Sequence, residues 1–191
     1  MSAVLTQGEG TMSENEKMAV MFSIRPAYCS LIMEKQKTCE LRKTAPKQSP
    51  PYKGYIYCTM GKKKLLDIVR DGDEYYGHIH HGKTEFITMP ECDYLTVGKR
   101  GKVIGEFICD ADAPITFDAD GVPTLHYDGP IKDWRTCVSA KAAREYCRDT
   151  EKRGLWALHI SELKIYDEPK ELKEFNLRRP FQSWGYVYEI N

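Results

Sequence analysis

The amino-acid sequence predicts an α+β protein built on a mixed, partly closed β-barrel, with two or three short helices and an inserted hairpin region. Three observations predict it. Short segments rich in β-branched and aromatic residues recur along the chain. Only two segments, near residues 26–34 and 139–150, place their residues at helical spacing. No alternation of strand and long helix gives the βαβ rhythm of a doubly wound sheet, and no internal repeat is present.

The elements follow in chain order. Residues 1–18 are Gly-, Ser-, Thr- and Glu-rich without a period and predict a disordered tail. Residues 19–191 predict a single domain. Ala19–Ile24 is a short apolar run, read as a strand. Pro26 then stands where proline favours a helix start, and Tyr28, Leu31 and Ile32 follow at helical spacing to give a short helix over Pro26–Glu34. Lys37–Lys43 alternates and reads as a strand; the three prolines of Thr44–Tyr52 make a loop; Gly54–Thr59 is aromatic and β-branched, a strand. Residues 61–101 carry turn residues between short apolar pieces and predict inserted hairpins. Lys102–Asp110 is a strand, Asp112–Trp134 is turn-rich, and Ser139 caps a helix running to Thr150. Leu155–Tyr166 reads as one long strand, Pro169–Phe175 as a helical turn, and Trp184–Ile190 as the terminal strand.

Composition limits the partners. The 191 residues carry 28 Lys and Arg against 28 Asp and Glu, so no overall field holds a polyanion. Charge is segregated instead: residues 35–64 are basic and the first 16 carry only acidic charges, so any contact with nucleic acid is local. The seven cysteines form no CxxC pair, and the opening residues are polar and acidic, unlike a secretion signal; together they predict free thiols in a reducing, cytoplasmic setting. No apolar stretch approaches the ~18 residues of a membrane span. The GxSxG, Walker, GxGxxG and HExxH motifs are absent.

Five constellations carry chemistry. Ser23-Ile24-Arg25-Pro26 puts a poor cap, Arg25, at a helix N-terminus, where a cation beside free N–H groups suits a phosphate or carboxylate. In Lys37-Thr38-Cys39-Glu40-Leu41-Arg42, period two sends Cys39 and Leu41 to one face and Thr38, Glu40 and Arg42 to the other. Glu40 and Arg42 then stand roughly 7 Å apart, suited to a bridging ligand or, on spacing alone, to a plain surface ion pair. Glu106 shares a face with Ile104 and Ile108, where desolvation would make it a general acid/base candidate. Trp184, Tyr186 and Tyr188 line one face of the last strand, and Tyr55 and Tyr57 repeat the pattern, as core or as base-stacking rings. His78, His80 and His81 lack partners at typical ligand spacing, so no metal site and no cofactor is expected.

Ser-Ile-Arg-Pro-Ala-Tyr at 23–28, a short helix, and Gln-Lys-Thr-Cys-Glu-Leu-Arg-Lys at 36–43 resemble the opening of ASCH domains, which are PUA-like. Residues 55–59 and 101–107 are similar to the next two family strands, and 156–167 with 179–184 to the long variants of phages and prophages. The resemblance implies a PUA-like barrel with a cleft near the first helix that binds RNA or a modified nucleoside. Ser23, Arg25, Lys37, Thr38, Glu40 and Arg42 would line it, with Tyr57 or Trp184 stacking a base. It moves Glu40 and Arg42 from the surface to the cleft. A few small members of the family hydrolyse acetylated cytidine with a Lys, a Thr and a Glu. Lys37 matches that Lys, but Glu40 stands where the Thr would be. The alternative function is therefore an amidohydrolase using Lys37, Glu40 and Glu106, and a third is a protein-interaction module of a mobile element.

Overall fold

The structure, a computed structural model, describes residues 17–60, 65–71, 74–80, 84–89, 96, 98–147 and 154–190. Strand β1 (Met18–Ile24) leads through helix α1 (Pro26–Met33) and strand β2 (Cys39–Arg42) to β3 (Tyr52–Cys58). After β4 (Leu65–Asp71), β5 (Glu74–His80) and β6 (Thr84–Met89) come β7 (Val103–Cys109), β8 (Asp112–Phe117) and β9 (Pro123–Leu125). Helix α2 (Ala140–Cys147), β10 (Leu155–His159), β11 (Ser161–Lys170), a 3-10 turn (Leu172–Phe175) and β12 (Trp184–Tyr188) complete the chain.

The strands make a five-stranded sheet in the order β11-β7-β3-β1-β12 and a four-stranded sheet in the order β2-β10-β8-β9. The inserted region forms its own antiparallel sheet, β4-β5-β6, between the paired strands β3 and β7. Among the described residues only β1 and β3 run parallel, which α1 and β2 make possible by carrying the chain across. The two larger sheets are joined at a corner: β7 passes into β8 across Asp110 and Ala111, and β10 into β11 across Ile160 alone. The architecture is the mixed α+β class expected, with the hydrogen-bonded ladders of the two sheets separate rather than closed into one ring.

Burial follows the alternation of the strands. On the inner face of the five-stranded sheet, Val20, Phe22, Ile24, Ile56 and Phe107 pack with Cys29 and Ile32 of α1 and Leu158 of β10, so both sheets share this core. On the outer face Ala19, Met21, Tyr55, Tyr57 and Val103 are covered by Phe175 of the 3-10 turn. Behind the second sheet, Cys39, Leu41, Ile115 and Ala157 meet Ala143 and Cys147 of α2. Each fully buried large side chain contributes about 1.5–3 kcal/mol. Ser139 caps α2 as its sequence predicts, its Oγ accepting the Ala142 N–H at 3.2 Å.

Three expectations change. The long strand over Leu155–Tyr166 is two strands in different sheets, because the chain turns at Ile160 and Glu162 takes a positive φ of 46°. The turn-rich segment after Asp112 contains the β8–β9 hairpin, closed by Asp118, whose Oδ1 accepts the Val122 N–H at 2.8 Å. Strand β7 does not alternate cleanly: Ile56 opposes Gly105 but Tyr57 opposes Val103, so Ile104 is an extra residue in a bulge. The bulge puts Glu106 opposite Tyr55 on the outer face, while Ile104 stays in the inner core. Gly105 fits there because a Cβ would meet the Lys164 carbonyl oxygen at 2.5 Å. The side chains of His78 and His80, and residues 1–16 and 81, lie outside the described residues.

Candidate functional site

All four residues of β2 are buried, which period two alone does not require. Cys39 and Leu41 face α2, and the opposite face of this edge strand turns Glu40 and Arg42 toward β1 and α1. Lys37 reaches the same place by a tight turn after α1. Lys35 takes φ 57°, and the N–H groups of Gln36 and Lys37 both donate to the Leu31 carbonyl.

The result is a buried charge cluster. Lys37, Glu40 and Arg42 are 2%, 6% and 5% exposed. Lys37 Nζ lies 3.4 Å from Glu40 Oε2, donates to the Thr136 carbonyl oxygen at 2.5 Å, and sits 5.1 Å from the centre of the Tyr28 ring. Arg42 Nη2 lies 3.0 Å from Glu40 Oε1 and donates to the Ser23 carbonyl oxygen at 2.9 Å, while Nη1 donates to Ser183 Oγ at 3.3 Å. The guanidinium carbon lies 5.6 Å from the centre of the Phe22 ring. Taking ions out of water costs several kcal/mol each, and hydrogen bonds to carbonyl groups offset part of that. The offset is incomplete. Two cations face one carboxylate, and Arg42 Nε is buried with no hydrogen-bond partner among the described residues. An interior with one excess positive charge and one unmatched donor is complementary to an acceptor-rich or anionic group. Cys29 of α1 feels the same field. Its thiol is pushed up chiefly by burial, then by Cys58 and Glu40, with Arg42 opposing.

The other residues expected in the cleft divide by position. Ser23 is buried and its Oγ donates to the Phe181 carbonyl oxygen at 2.6 Å, tying β1 to the segment that carries Ser183. Arg25 is exposed at the N-cap of α1, which has no side-chain cap. Trp184 is half-buried against the inner core, opposite Phe22, and its Nε1 donates to the Thr44 carbonyl oxygen at 3.1 Å. Thr38 is held by the irregular segment before α2. Its Oγ1 donates to the Asp133 carbonyl oxygen at 2.8 Å and accepts the Arg135 N–H at 2.9 Å, and the Thr38 and Cys39 N–H groups both donate to the Arg135 carbonyl. This strap, residues 133–138, thus lies along the start of β2 and reaches Lys37 through Thr136.

Tyr57 and Glu106 are not brought to the cluster. Both stand on the outer face of the five-stranded sheet, Tyr57 in the apolar layer under Phe175 and Glu106 in a surface network. There Glu106 accepts the Tyr166 hydroxyl at 2.6 Å and pairs at 4.0 Å with Lys53 and 3.7 Å with Lys164. Burial, then Glu106, pushes the Tyr166 hydroxyl above its ordinary range. Sequence reasoning missed Ser183, Tyr28 and the Thr136 carbonyl. Ser183 had a signal, its place beside Trp184; a backbone carbonyl 99 residues from its partner had none.

No protein-family model matches the chain, and no curated protein matches it. Among solved structures, the crystal structure of ASCH from Zymomonas mobilis is similar at a TM-score of 0.52 and 15% identity, over 88% of this chain and 86% of that one. The fold is ASCH-like. At this identity the likeness is one of fold. The stretches at 23–28 and 36–43 fall on β1, α1 and β2 of the ASCH-like frame, the elements that assemble the charge cluster. Among the described residues, no group of three or more His, Cys, Asp or Glu is placed to hold a metal ion, and no helix is long and apolar enough to cross a membrane.

Proposed function

We propose that the chain binds RNA or a modified nucleoside in a cleft beside α1, without turning it over. The observation that carries this reading is the Lys37–Glu40–Arg42 cluster, buried with an excess cation and an Arg42 Nε that has no partner among the described residues. Arg25, Ser183 and Trp184 are the more accessible groups nearest to it in chain or contact: a cation, a hydroxyl and a ring. That set suits a nucleotide, whose phosphate, base edge and base face need those three partners. The ASCH-like fold is compatible with it. An amidohydrolase is less well supported. Lys37 is engaged by Glu40 and Thr136, the Thr38 hydroxyl is held by the strap, and Glu106 stands across the sheet.

Thermal shifts against nucleosides, modified nucleosides including acetylated cytidine, and short RNAs test the proposal. A ligand at a hundred times its dissociation constant stabilises the native state by about 2.7 kcal/mol. The expected result is a shift that Ser183→Ala and Arg25→Ala diminish, with no release of acetate from acetylated cytidine. No shift with any of these ligands, or one indifferent to both variants, overturns it.

A further inference from the structure

We propose that the aromatic stripe of β12, formed by Trp184, Tyr186 and Tyr188, is a base-stacking path for single-stranded RNA that leads away from Arg42. It rests on the reading of the cleft as an RNA site and extends it to the length of strand recognised. The stripe begins where the charge cluster ends, because Arg42 Nη1 donates to Ser183, the residue before Trp184. From there the register pairs Trp184 with Phe22, Tyr186 with Val20 and Tyr188 with Met18, so the three rings stand on one face of an edge strand. Their pitch is roughly 7 Å, two residues of strand.

These rings are not simply core. Among the described residues six large hydrophobics are exposed, and three of them, Met18, Tyr186 and Tyr188, meet on this edge. Tyr186 and Tyr188 are 38% and 44% exposed. The polar edges are fixed by the loop after β2: Trp184 Nε1 donates to Thr44, and the Tyr186 hydroxyl accepts the Lys47 N–H at 2.8 Å. Trp184 and Tyr186 pack edge to face at 5.7 Å. Rings held by their edges present faces without losing side-chain freedom on binding, which is what a stacking platform needs.

Charge is placed to match. The Tyr186 hydroxyl is bound by the backbone of Lys47, and the Lys17 carbonyl accepts the Glu189 N–H beside Tyr188. Both lysines are exposed, and neither ammonium is in an ion pair among the described residues. Two exposed lysines whose backbones contact the Tyr186 hydroxyl and the residue after Tyr188 supply cationic residues along this edge, which suits a strand that alternates phosphate and base. A protein strand adding to the same edge would need backbone pairing and apolar pockets and would have no use for the lysines.

Fluorescence anisotropy of a labelled uridine octamer, read alongside the thermal shift given by uridine monophosphate, tests the path. Tyr186→Ala and Tyr188→Ala are each expected to weaken the octamer about tenfold and to leave the mononucleotide shift unchanged. Tyr188→Phe keeps the ring and is expected to bind as the parent does. Lys17→Ala and Lys47→Ala are each expected to lower the slope of log affinity against log salt by about 0.7. Circular dichroism melts of the tyrosine variants check that the fold is kept. Octamer binding untouched by both Tyr→Ala changes but diminished by Ser183→Ala overturns the path and leaves the cleft reading standing. A mononucleotide shift with no octamer binding also overturns it. Self-association lost in the tyrosine variants, with octamer binding intact, assigns the edge to a protein strand instead.

Discussion

Glu40 holds the charge balance of the interior. Among the described residues it is the one carboxylate touching both Lys37 and Arg42, and all three side chains are under a tenth exposed. Glu40→Gln keeps the shape and removes the counter-charge, leaving two cations facing a neutral amide. Breaking a buried pair from one side costs about 3–5 kcal/mol, and that loss is expected in urea denaturation at neutral pH. Glu106→Gln is the matched control, since Glu106 pairs with Lys53 and Lys164 at the surface at 3.7 to 4.0 Å. It is expected to cost less than about 1 kcal/mol. Equal losses would show that the β2 cluster is no more desolvated than the surface network. Arg42 is equally specific. One planar fork serves Glu40, the Ser23 carbonyl and Ser183, and a lysine in its place has a single ammonium for three separate acceptors. The thiols divide in the same way. Cys137 is exposed, whereas burial pushes Cys39 and Cys109 up to about 12. Alkylation of the native protein followed by peptide mapping is expected to mark Cys137 and spare Cys39 and Cys109.

At the scale of elements, the strap decides how closed the cluster is. Residues 133–138 have no regular structure, yet they satisfy the N–H groups of Thr38 and Cys39 and the ammonium of Lys37. What holds the strap is Trp134, packed edge to face on Tyr127 at 4.9 Å and tilted on His159 at 5.2 Å, with His159 Nδ1 2.6 Å from Asp110 Oδ1. Ring pairs of this kind contribute about 0.5–1.5 kcal/mol each, so Trp134→Ala is expected to speed amide hydrogen exchange at Thr38 and Cys39 about tenfold. Unchanged exchange there would mean that the hydrogen bonds alone hold the strap. The strap's hold on β2 was not legible in the sequence, because those contacts join residues nearly a hundred apart. Local pattern served better elsewhere. β1, α1, β3 and β12 lie within about two residues of their predicted ranges, as expected where propensity and alternation agree. Alternation failed in two informative places. It assigned Glu40 and Arg42 to one face but could not say that the face is interior; the resemblance implied only that the pair lines a cleft. It put Glu106 beside Ile104, and the bulge at Ile104 reverses that, since one extra residue turns every later side chain to the other face.

The two larger sheets fold over one shared core, and the response of the molecule to alkali follows from what its interior buries. Cys29, Cys39 and Cys109 are fully buried thiols, and Tyr52 is a buried phenol. Burial raises all four, with Cys39 and Cys109 reaching about 12 from an ordinary thiol value of 9.0. The sign follows from proton counting. Below pH 9 the thiols are neutral in folded and unfolded chains alike, and their contribution to stability is fully present. Above it the unfolded chain releases protons that the folded chain keeps, so stability is lost as pH rises from the unfolded value of 9.0 toward the folded value of about 12. Each such thiol lowers stability by up to about 1.4 kcal/mol per pH unit in that window. Because Leu158 of one sheet and Phe22 of the other lie in the same cluster, the loss is expected in one cooperative transition rather than sheet by sheet. Urea midpoints are therefore expected to be flat near neutrality and to fall steadily from about pH 9 upward, with a shallower fall when Cys39 and Cys109 are both replaced by Ala and each variant is compared with its own neutral midpoint. A midpoint that holds level to about pH 11 would mean that these thiols reach water in the folded protein.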